Sequence, residues 1–386
     1  MTKFRVAICG AGIGGLTTAV ALSRYPDIEV EIFEGAKELA ELGAGIGLWP
    51  RVWEIIQKLH LEEDLLKVTE LSLSVTSFRY RKSDRPEGLD FYTLITKASA
   101  VVPDTLLEAS PVVHPAARRA CRLCSLKTGT QTTCDLLVGA DGLKSAVRRT
   151  LLGEKARLAE SKGLWSEAAD ITAYLGKNGY VIAYPIAHGT KINFVAFKAQ
   201  HHLENTKFNG AWVGIADRSE FATMFRNWEP EVQALLDCVD KPLRWAIHTV
   251  KPLGSFVHGN VAILGDAAHA MTPHQGSGAG QAIEDAYILS TLLGHPATNR
   301  DTIARALSIY DHIRRPFAQQ VQLRSRLNGQ YFTFCGPEVD FNSVPEHELL
   351  NNLDHLGKAF TKNWDWCWTT SLGDSVKEAV RLLETS

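Results

Sequence analysis

The sequence predicts a two-part α/β protein, and three observations along its 386 residues support that prediction. A strand, a glycine-rich turn, a helix and a second strand follow one another within the first 34 residues. Two further short apolar runs, at residues 135–141 and 261–266, contain an aspartate next to a glycine at their ends. Between them lie two strand-like runs, at residues 180–186 and 191–197. Strands that alternate with helices are typical of a parallel sheet, whereas two adjacent runs predict an antiparallel hairpin.

The first unit has the size of one βαβ crossover, about thirty residues. Residues 4–9 (FRVAIC) are rich in β-forming side chains, and residues 29–34 (EVEIFE) form the second strand-like run. Between them, Leu16–Arg24 has helical spacing and stops near Pro26. An amphipathic helix is predicted over Pro50–Leu66. We therefore expect the chain to open with two neighbouring parallel strands covered by helices.

The later part of the chain is predicted to be mainly helical. One helix follows a glycine-rich turn over residues 279–293, and helices dominate from Thr302 to Asn328. Residues 94–134 show little periodicity and contain three prolines, so they give the weakest structural signal. Residues 152–174 form a short, helix-like stretch.

The composition excludes several classes of protein. The chain has 45% hydrophobic and 22% charged residues, and its 41 Lys and Arg nearly balance 43 Asp and Glu, which disfavours disorder and general nucleic-acid binding. No run of 18 apolar residues occurs, so we expect no membrane span. Seven scattered cysteines form no disulfide framework and favour a reducing compartment, so we expect a cytoplasmic protein. His201 and His202 have no carboxylate or cysteine at ligand spacing, so no metal site is expected.

The glycine-rich turn at residues 10–15 (GAGIGG) fits the pattern GxGxxG directly after a predicted strand and at the start of a predicted helix. Glu34 lies nineteen residues beyond Gly15, at the end of the next strand. In this context the glycines allow a tight turn, close approach of a pyrophosphate and close helix packing. The helix start offers unpaired amides to the phosphates, and Glu34 can accept a hydrogen bond from a ribose. The motif alone does not separate NAD from FAD.

The other two strand ends carry a family resemblance. Residues 135–148 read DLLVGADGLKSAVR, and residues 261–285 read VAILGDAAHAMTPHQGSGAGQAIED. Together with the first motif, they resemble the single-component flavoprotein aromatic hydroxylases, and most of all the fungal salicylate-hydroxylase-like monooxygenases. The resemblance covers most of the chain, including residues 310–316 and 363–366. It implies a Rossmann-type FAD-binding domain combined with a sheet-containing substrate domain, as in para-hydroxybenzoate hydroxylase.

The resemblance also implies boundaries and roles. The FAD-binding domain would be discontinuous, over residues 1–80, 120–160 and 255–330, and the substrate domain would span 161–254 with part of 81–119, before a C-terminal helical extension at 331–386. The implied FAD contacts fall in four groups: Gly10, Gly12, Gly15 and Glu34 on the ADP half; Asp141 and Gly142, with Ser145 and Arg148, near FAD and the nicotinamide nucleotide; Asp266 on the ribityl or pyrophosphate part; and Gly47, Pro273, Gly276 and Gly278 against the flavin ring. For Asp266, a purely structural helix-capping role is the alternative.

The reaction implied is hydroxylation of a small aromatic compound, either a salicylate-like acid or another phenolic or heteroaromatic acid. NADH or NADPH would reduce FAD transiently, and the reduced flavin would take up molecular oxygen as a C4a-hydroperoxide that hydroxylates the ring. We expect the substrate against the hairpin, with Tyr184 and Phe194 as candidate contacts, although core packing explains such aromatic residues equally well. His248 is the candidate catalytic base, and a histidine with its polar atoms satisfied in the core is the alternative. His269 and His274 are expected to be structural or to line the cofactor.

Two stretches depart from the family pattern. Between Phe91 and Cys134 we expect a helix that opens with an arginine for the FAD pyrophosphate, but only Arg118 and Arg119 are near, in a proline-rich context. The stretch at 152–174 lacks the expected sheet strands. A degenerate or shortened flavin-binding relative with little hydroxylase activity is therefore one alternative, and a nicotinamide-dependent dehydrogenase is another. The sequence specifies neither the aromatic substrate nor the oligomeric state.

Overall fold

A computed structural model gives the structure of the protein. It describes residues 2–36, 46–67, 76–96, 100–102, 122–125, 131–152, 158–167, 171–186, 191–204, 206, 208, 210–239, 242–337, 340–341 and 343–385. In chain order the strands and α-helices are β1 (Phe4–Cys9), α1 (Ile13–Leu22), β2 (Ile28–Phe33), β3 (Ile46–Leu48), α2 (Pro50–Lys58), α3 (Glu62–Leu66), β4 (Thr76–Lys82), β5 (Leu89–Thr96), β6 (Ala100–Val102), β7 (Arg122–Ser125), β8 (Gln131–Cys134), β9 (Leu136–Gly139), α4 (Ala146–Leu152), β10 (Leu158–Glu167), β11 (Thr172–Gly176), β12 (Gly179–Ile186), β13 (Lys191–Lys198), β14 (Val213–Ile215), α5 (Arg218–Met224), α6 (Pro230–Asp237), β15 (Leu243–Val250), β16 (Val257–His258), β17 (Val261–Ile263), α7 (Asp266–His269), α8 (Gly278–Gly294), α9 (Ile303–Phe332), α10 (Leu349–Trp364), α11 (Trp366–Thr369) and α12 (Gly373–Glu384).

A five-stranded sheet in the order β16-β17-β9-β1-β2 forms the first layer. β1 pairs in parallel with β2 and with β9, and β9 pairs in parallel with β17. Strands buried on both faces carry near-continuous apolar runs, and in β1 the side chains of Phe4, Val6 and Ile8 are at most 1% exposed. The core of this layer also includes buried side chains from α1, α2, α8, α9 and α12. Because the four parallel strands run in one direction, their carboxyl ends meet at one edge of the sheet.

An eight-stranded sheet in the order β14-β15-β10-β13-β12-β11-β4-β5 forms the second layer. Its pairs are antiparallel except for β11 with β4. Side chains alternate between its two faces. Tyr180 and Phe197 belong to a core with residues of α9 and α10, whereas Val181 and Phe194 belong to a second core with residues of α6.

Most of the predicted elements are confirmed, and two predictions need correction. The antiparallel hairpin is confirmed as β12 paired with β13. The stretch predicted as helix-like at 152–174 instead contains two strands among its described residues: β10, which pairs with both β13 and β15, and the start of β11. The helix predicted over Pro50–Leu66 is broken into α2 and α3 by His60, whose φ of 59° does not fit a helix. β4 pairs within the eight-stranded sheet.

The C-terminal part is helical, as expected. α9 runs unbroken for 30 residues with Pro316 inside it. α10 packs against α9 and β5. Across the described ranges, no helix combines the length and the apolar character needed to cross a bilayer. Arg118 and Arg119 lie outside the described residues, and the domain boundaries as a set stay a prediction.

Candidate active site

Three acidic residues follow three parallel strands of the five-stranded sheet. Glu34 follows β2, Asp141 follows β9 and Asp266 follows β17. Since the carboxyl ends of these strands share one edge, the three acids lie along that edge, which is where open α/β sheets have their ligand crevice. The first glycine-rich turn follows β1 at the same edge. The structure thus brings together the segments that the sequence singles out for the cofactor.

The first turn contains two glycines that the fold requires and one that it leaves open. A Cβ added to Gly10, whose φ is +105°, would lie 2.3 Å from the carbonyl oxygen of Ala140. A Cβ on Gly15 would lie 2.0 Å from the carbonyl oxygen of Gly10. At Gly12, by contrast, no atom of the described residues lies within 4 Å of an added Cβ. Gly12 therefore borders open space at the start of α1, where unpaired helix amides can meet an anion.

Glu34 connects the turn to the second strand. Its carboxylate accepts hydrogen bonds from the backbone amides of Ala11 and Ala36, each at 2.7 Å. Glu34 thereby links the glycine-rich turn to the segment that follows β2.

The second motif has a clear structural function. Asp141 accepts hydrogen bonds from Ser145 Oγ and from the amides of Ala146 and Val147, and it thereby caps α4. Arg148 is 2% exposed and donates from Nη1 to the carbonyl oxygens of Asp266, at 3.2 Å, and Ala267, at 2.7 Å. Burial lowers the pKa of Arg148, against the attraction of Asp141. Arg148 therefore links the second motif to the third by hydrogen bonds.

Asp266 differs from the other two acids because its carboxylate has no partner among the described side chains and amides. Gly265, and not Asp266, is the N-cap of α7, and Asp266 makes no side-chain capping bond. The purely structural alternative for Asp266 is therefore not what the structure shows. The carboxylate is exposed to the crevice and surrounded by protein, and this desolvation raises its pKa, while His269 and Arg148 oppose the rise.

The remaining cofactor candidates border open space. Within the described residues, no atom lies within 4 Å of a Cβ added to Gly47, Gly142 or Gly276. For Gly278 the nearest is Met271 Cγ, at 4.0 Å. Pro273 is half-buried beside this turn. The open glycine faces and the unpartnered Asp266 carboxylate together fit a dinucleotide that passes close to the backbone.

A cavity of about 320 Å³ lies between the hairpin and the segment that follows Asp266. Its wall includes Tyr180 and Phe197 from the hairpin and Ile247 from β15. Met271 and His274, on either side of Pro273, close it from the third motif. The cavity is at the lower end of the range for small-molecule pockets, about 300 to 1,000 Å³, so it suits a small ligand.

Tyr184 and Phe194, the predicted substrate contacts, and His248, the predicted base, have three different surroundings. Tyr184 shares the face of Tyr180 on β12 and accepts a hydrogen bond from Asn193 Nδ2 at 3.0 Å. Phe194 is 3% exposed in the core on the opposite face of the sheet, so it is not brought together with Tyr184.

His248 is also turned away from the cavity. Its neighbours Ile247 and Thr249 line the cavity, so His248 points to the other face of β15. There it stacks on Trp212, with ring centroids 3.8 Å apart, and donates from Nδ1 to the carbonyl oxygen of Ala246 at 2.7 Å. Its role as catalytic base stays a prediction, without support from this placement.

His274 lines the cavity. Its Nδ1 is hydrogen-bonded to Tyr180 Oη at 2.5 Å. Burial, with a smaller effect of the nearby His201, lowers the pKa of His274 to about 3, so the ring is neutral at physiological pH. From the sequence, His274, next to Pro273 in the flavin-ring motif, is expected to be structural or to line the cofactor.

Known proteins match this chain over nearly its whole length. Residues 116–325 match the family described as FAD binding domain. A salicylate hydroxylase from Pseudomonas putida is 31% identical, over 97% of this chain and 94% of its own length. A 6-methylsalicylate 1-monooxygenase from Aspergillus terreus is 30% identical, over 98% of this chain and 92% of its own. A solved substrate complex of salicylate hydroxylase superposes with a TM-score of 0.80 at 27% identity and covers 98% of both chains.

This chain belongs to the FAD-dependent aromatic monooxygenases.

Membership confirms FAD as the cofactor and the predicted fold class. It also favours the monooxygenase over the dehydrogenase alternative. An FAD complex of HpxO from Klebsiella pneumoniae shares the fold, with a TM-score of 0.69 at 22% identity.

The monooxygenase is shorter than its salicylate hydroxylase relative. Their alignment spans 423 positions, more than the 386 residues of this chain, so the relative contains residues with no counterpart here.

Proposed function

We propose that this monooxygenase hydroxylates a small aromatic acid, salicylate-like or another phenolic or heteroaromatic acid, with NADH or NADPH as the reductant. The observation that carries the proposal is the cavity between the hairpin and the segment after Asp266. Bound FAD would supply the electron transfer and oxygen activation that no protein side chain provides. The protein's own groups would bind the cofactor and substrate, orient them and exclude water.

The glycines predicted to contact the cofactor form two groups according to their surroundings. Gly12, Gly47, Gly142 and Gly276 leave open space for the dinucleotide, and Gly10 and Gly15 shape the turn behind it. Asp266 would accept hydrogen bonds from the hydroxyls of the ribityl chain, for which its unpartnered carboxylate is suited. α8 begins at Gly278 without a side-chain cap, so its positive end would favour negative charge on the reduced ring.

The substrate would lie on the apolar wall of the cavity. Phe197, Ile247 and Met271 offer a surface for an aromatic ring. Lys198 and Lys251 line the same cavity, are exposed, and have no carboxylate partner among the described residues. They would attract the carboxylate of an aromatic acid.

The His274–Tyr180 pair would orient the phenolic hydroxyl. His274 lines the cavity and is held by an aromatic neighbour, and its neutral ring can accept a hydrogen bond from a phenol or donate one to it, depending on the tautomer. Tyr184 could contribute from farther along the same face, whereas the predicted role of His248 would need a different arrangement of β15.

Flavin binding without hydroxylation is the second candidate, because the relative is longer than this chain. The experiment that decides is a screen of aromatic acids and their uncharged phenol analogues against the purified, FAD-loaded protein. Oxygen uptake, oxidation of NADH and of NADPH, and the mass of the product are measured together.

We expect an acid-stimulated oxygen uptake and a product heavier by one oxygen atom. Lys198→Met should raise the KM for acids about tenfold and leave the KM for uncharged phenols unchanged, because only the former lose a charge interaction. Bound FAD with NAD(P)H oxidation but no hydroxylated product from any ring would establish the second candidate instead.

A further inference from the structure

A buried network of charged side chains lies behind the cofactor crevice. Arg51, Glu284, Arg314, Asp285 and His269 are each at most 3% exposed. Arg51 comes from α2, His269 from α7, Glu284 and Asp285 from α8, and Arg314 from α9. α2 follows β3, which contains Gly47, α7 follows Gly265, and α8 follows the turn that contains Gly276. The network therefore connects the elements that carry the flavin-facing residues.

Asp285 is the member of this network that contacts the Asp266 segment. Its Oδ2 accepts hydrogen bonds from the amide of Gly265, at 3.0 Å, and from His269 Nε2, at 2.5 Å. Its Oδ1 accepts a hydrogen bond from Arg314 Nε at 2.8 Å. Burial alone would raise the pKa of Asp285, but His269, Arg314 and the Gly265 amide lower it, so the carboxylate is ionised. An ionised carboxylate only accepts, which fixes His269 as the donor.

The Asp266 segment has little structure of its own. α7 has four residues, and one turn of helix is unstable without outside support. Its N-cap, Gly265, has a φ of +56° and a ψ of −142°. The support comes from two sides, since Asp285 holds both ends of α7 and Arg148 holds the carbonyls of Asp266 and Ala267.

We propose that Asp285 is a positioning residue for FAD: by binding the Gly265 amide and the His269 ring, it fixes α7 so that the Asp266 carboxylate faces the crevice. Asp285 itself does not touch the cofactor. The inference rests on the proposed contact between Asp266 and FAD.

Glu284 offers a matched comparison within the same network. It is 0% exposed, as is Asp285, and both pair with Arg314. Glu284 otherwise contacts Arg51 and Gln281, and it contacts neither Gly265 nor His269. A general loss of the buried network should therefore affect both variants, whereas loss of positioning should affect only the Asp285 variant.

The test compares Asp285→Asn with Glu284→Gln by titrating apo-protein with FAD and by melting the apo-protein. We expect Asp285→Asn to weaken FAD binding about ten- to a hundredfold, the range for one lost charge-assisted contact. Glu284→Gln should lower the apo Tm at least as much and change FAD affinity less than about threefold. Equal weakening in both variants, or unchanged FAD affinity in Asp285→Asn, would overturn the proposal.

A second variant keeps the test decisive if Asp285→Asn does not fold. His269→Asn leaves Asp285 its bonds to Gly265 and Arg314, and should weaken FAD binding several-fold with a smaller loss of apo stability. Unchanged FAD affinity in a folded His269→Asn would also count against the proposal. Asp266→Asn distinguishes failure of the proposed Asp266 contact from failure of the positioning role of Asp285. If Asp266→Asn retains full FAD affinity, the proposed contact is wrong. If Asp266→Asn binds FAD weakly and Asp285→Asn binds it normally, only the positioning role is wrong.

Discussion

Gly12 and Gly15 belong to one turn but face different surroundings. An added Cβ would meet the Gly10 carbonyl oxygen at 2.0 Å in Gly15, and open space in Gly12. A side chain at Gly15 would disturb the fold itself, whereas a side chain at Gly12 would disturb only a bound ligand. Substitution at these two glycines therefore separates stability from cofactor binding.

We expect Gly15→Ala to destabilise the apo-protein by about 2 kcal/mol or more, because backbone atoms must move to admit the methyl group. Gly12→Ala should change apo stability by less than about 1 kcal/mol, since Gly12 has a φ of −73° that alanine adopts readily. It should nevertheless weaken FAD binding at least about tenfold, through steric exclusion of the pyrophosphate. Urea unfolding and FAD titration of both variants test this. Normal FAD affinity in Gly12→Ala would show that the dinucleotide does not pass this glycine.

At the residue scale, the sequence predicted which residues lie at the sheet edge better than it predicted which residues line the cavity. The glycines and acids were predictable because their spacing after strands places them at one sheet edge. The surroundings of Phe194 were not, because they depend on which face of β13 is covered by other elements. Alternation within a strand shows which residues share a face, but not which face meets the ligand.

At the scale of elements, Arg51 connects α2 to α8 and to the C-terminal segment. Its Nε and Nη2 bind the Glu284 carboxylate, and its Nη1 binds Thr370 Oγ1 and the carbonyl oxygen of Ser371. Removal of this guanidinium leaves buried polar groups with fewer partners, which is costly in an apolar interior.

Arg51→Met is therefore expected to lower the free energy of unfolding by about 3 kcal/mol. Arg24→Met is the matched control, because Arg24 is an exposed arginine that donates to the Lys58 carbonyl oxygen at the end of the same helix. Its cost should stay below about 0.5 kcal/mol. Urea unfolding of the two apo variants measures both values, and a similar small loss in each would contradict a structural role for the buried pair.

The local sequence pattern failed to predict elements whose structure depends on pairing with strands elsewhere in the chain. β10 looks helix-like in sequence but is held between β13 and β15. A strand gains its stability from its neighbours more than from intrinsic preference, so a single sequence gives a weak signal there. The strand and turn at residues 4–15, by contrast, carry enough apolar residues and glycines to be predictable alone.

At the scale of the whole molecule, His274 links stability to pH. Its pKa is lowered from 6.5 to about 3 in the folded protein. Below neutral pH the unfolded chain therefore binds a proton at this site that the folded chain does not, and stability falls as pH falls from about 7 towards 3.

Between pH 7 and pH 5 this one group should remove about 1 to 2 kcal/mol from the free energy of unfolding. His274→Gln removes the titration and keeps a polar side chain, so its loss over the same interval should be smaller by that amount. Urea unfolding of both apo-proteins at the two pH values makes the comparison. Equal losses would mean that water in the cavity keeps the pKa of His274 near its ordinary value.

The order of strands in the five-stranded sheet also affects how the protein is made. β1, which pairs with β2 and β9, is synthesised first, whereas β9, β17 and the helix α8 end only at residues 139, 263 and 294. Contacts so distant in sequence form slowly and late. Residue 294 must therefore be synthesised before the crevice has both walls, so we expect that the nascent first βαβ unit alone does not hold the flavin.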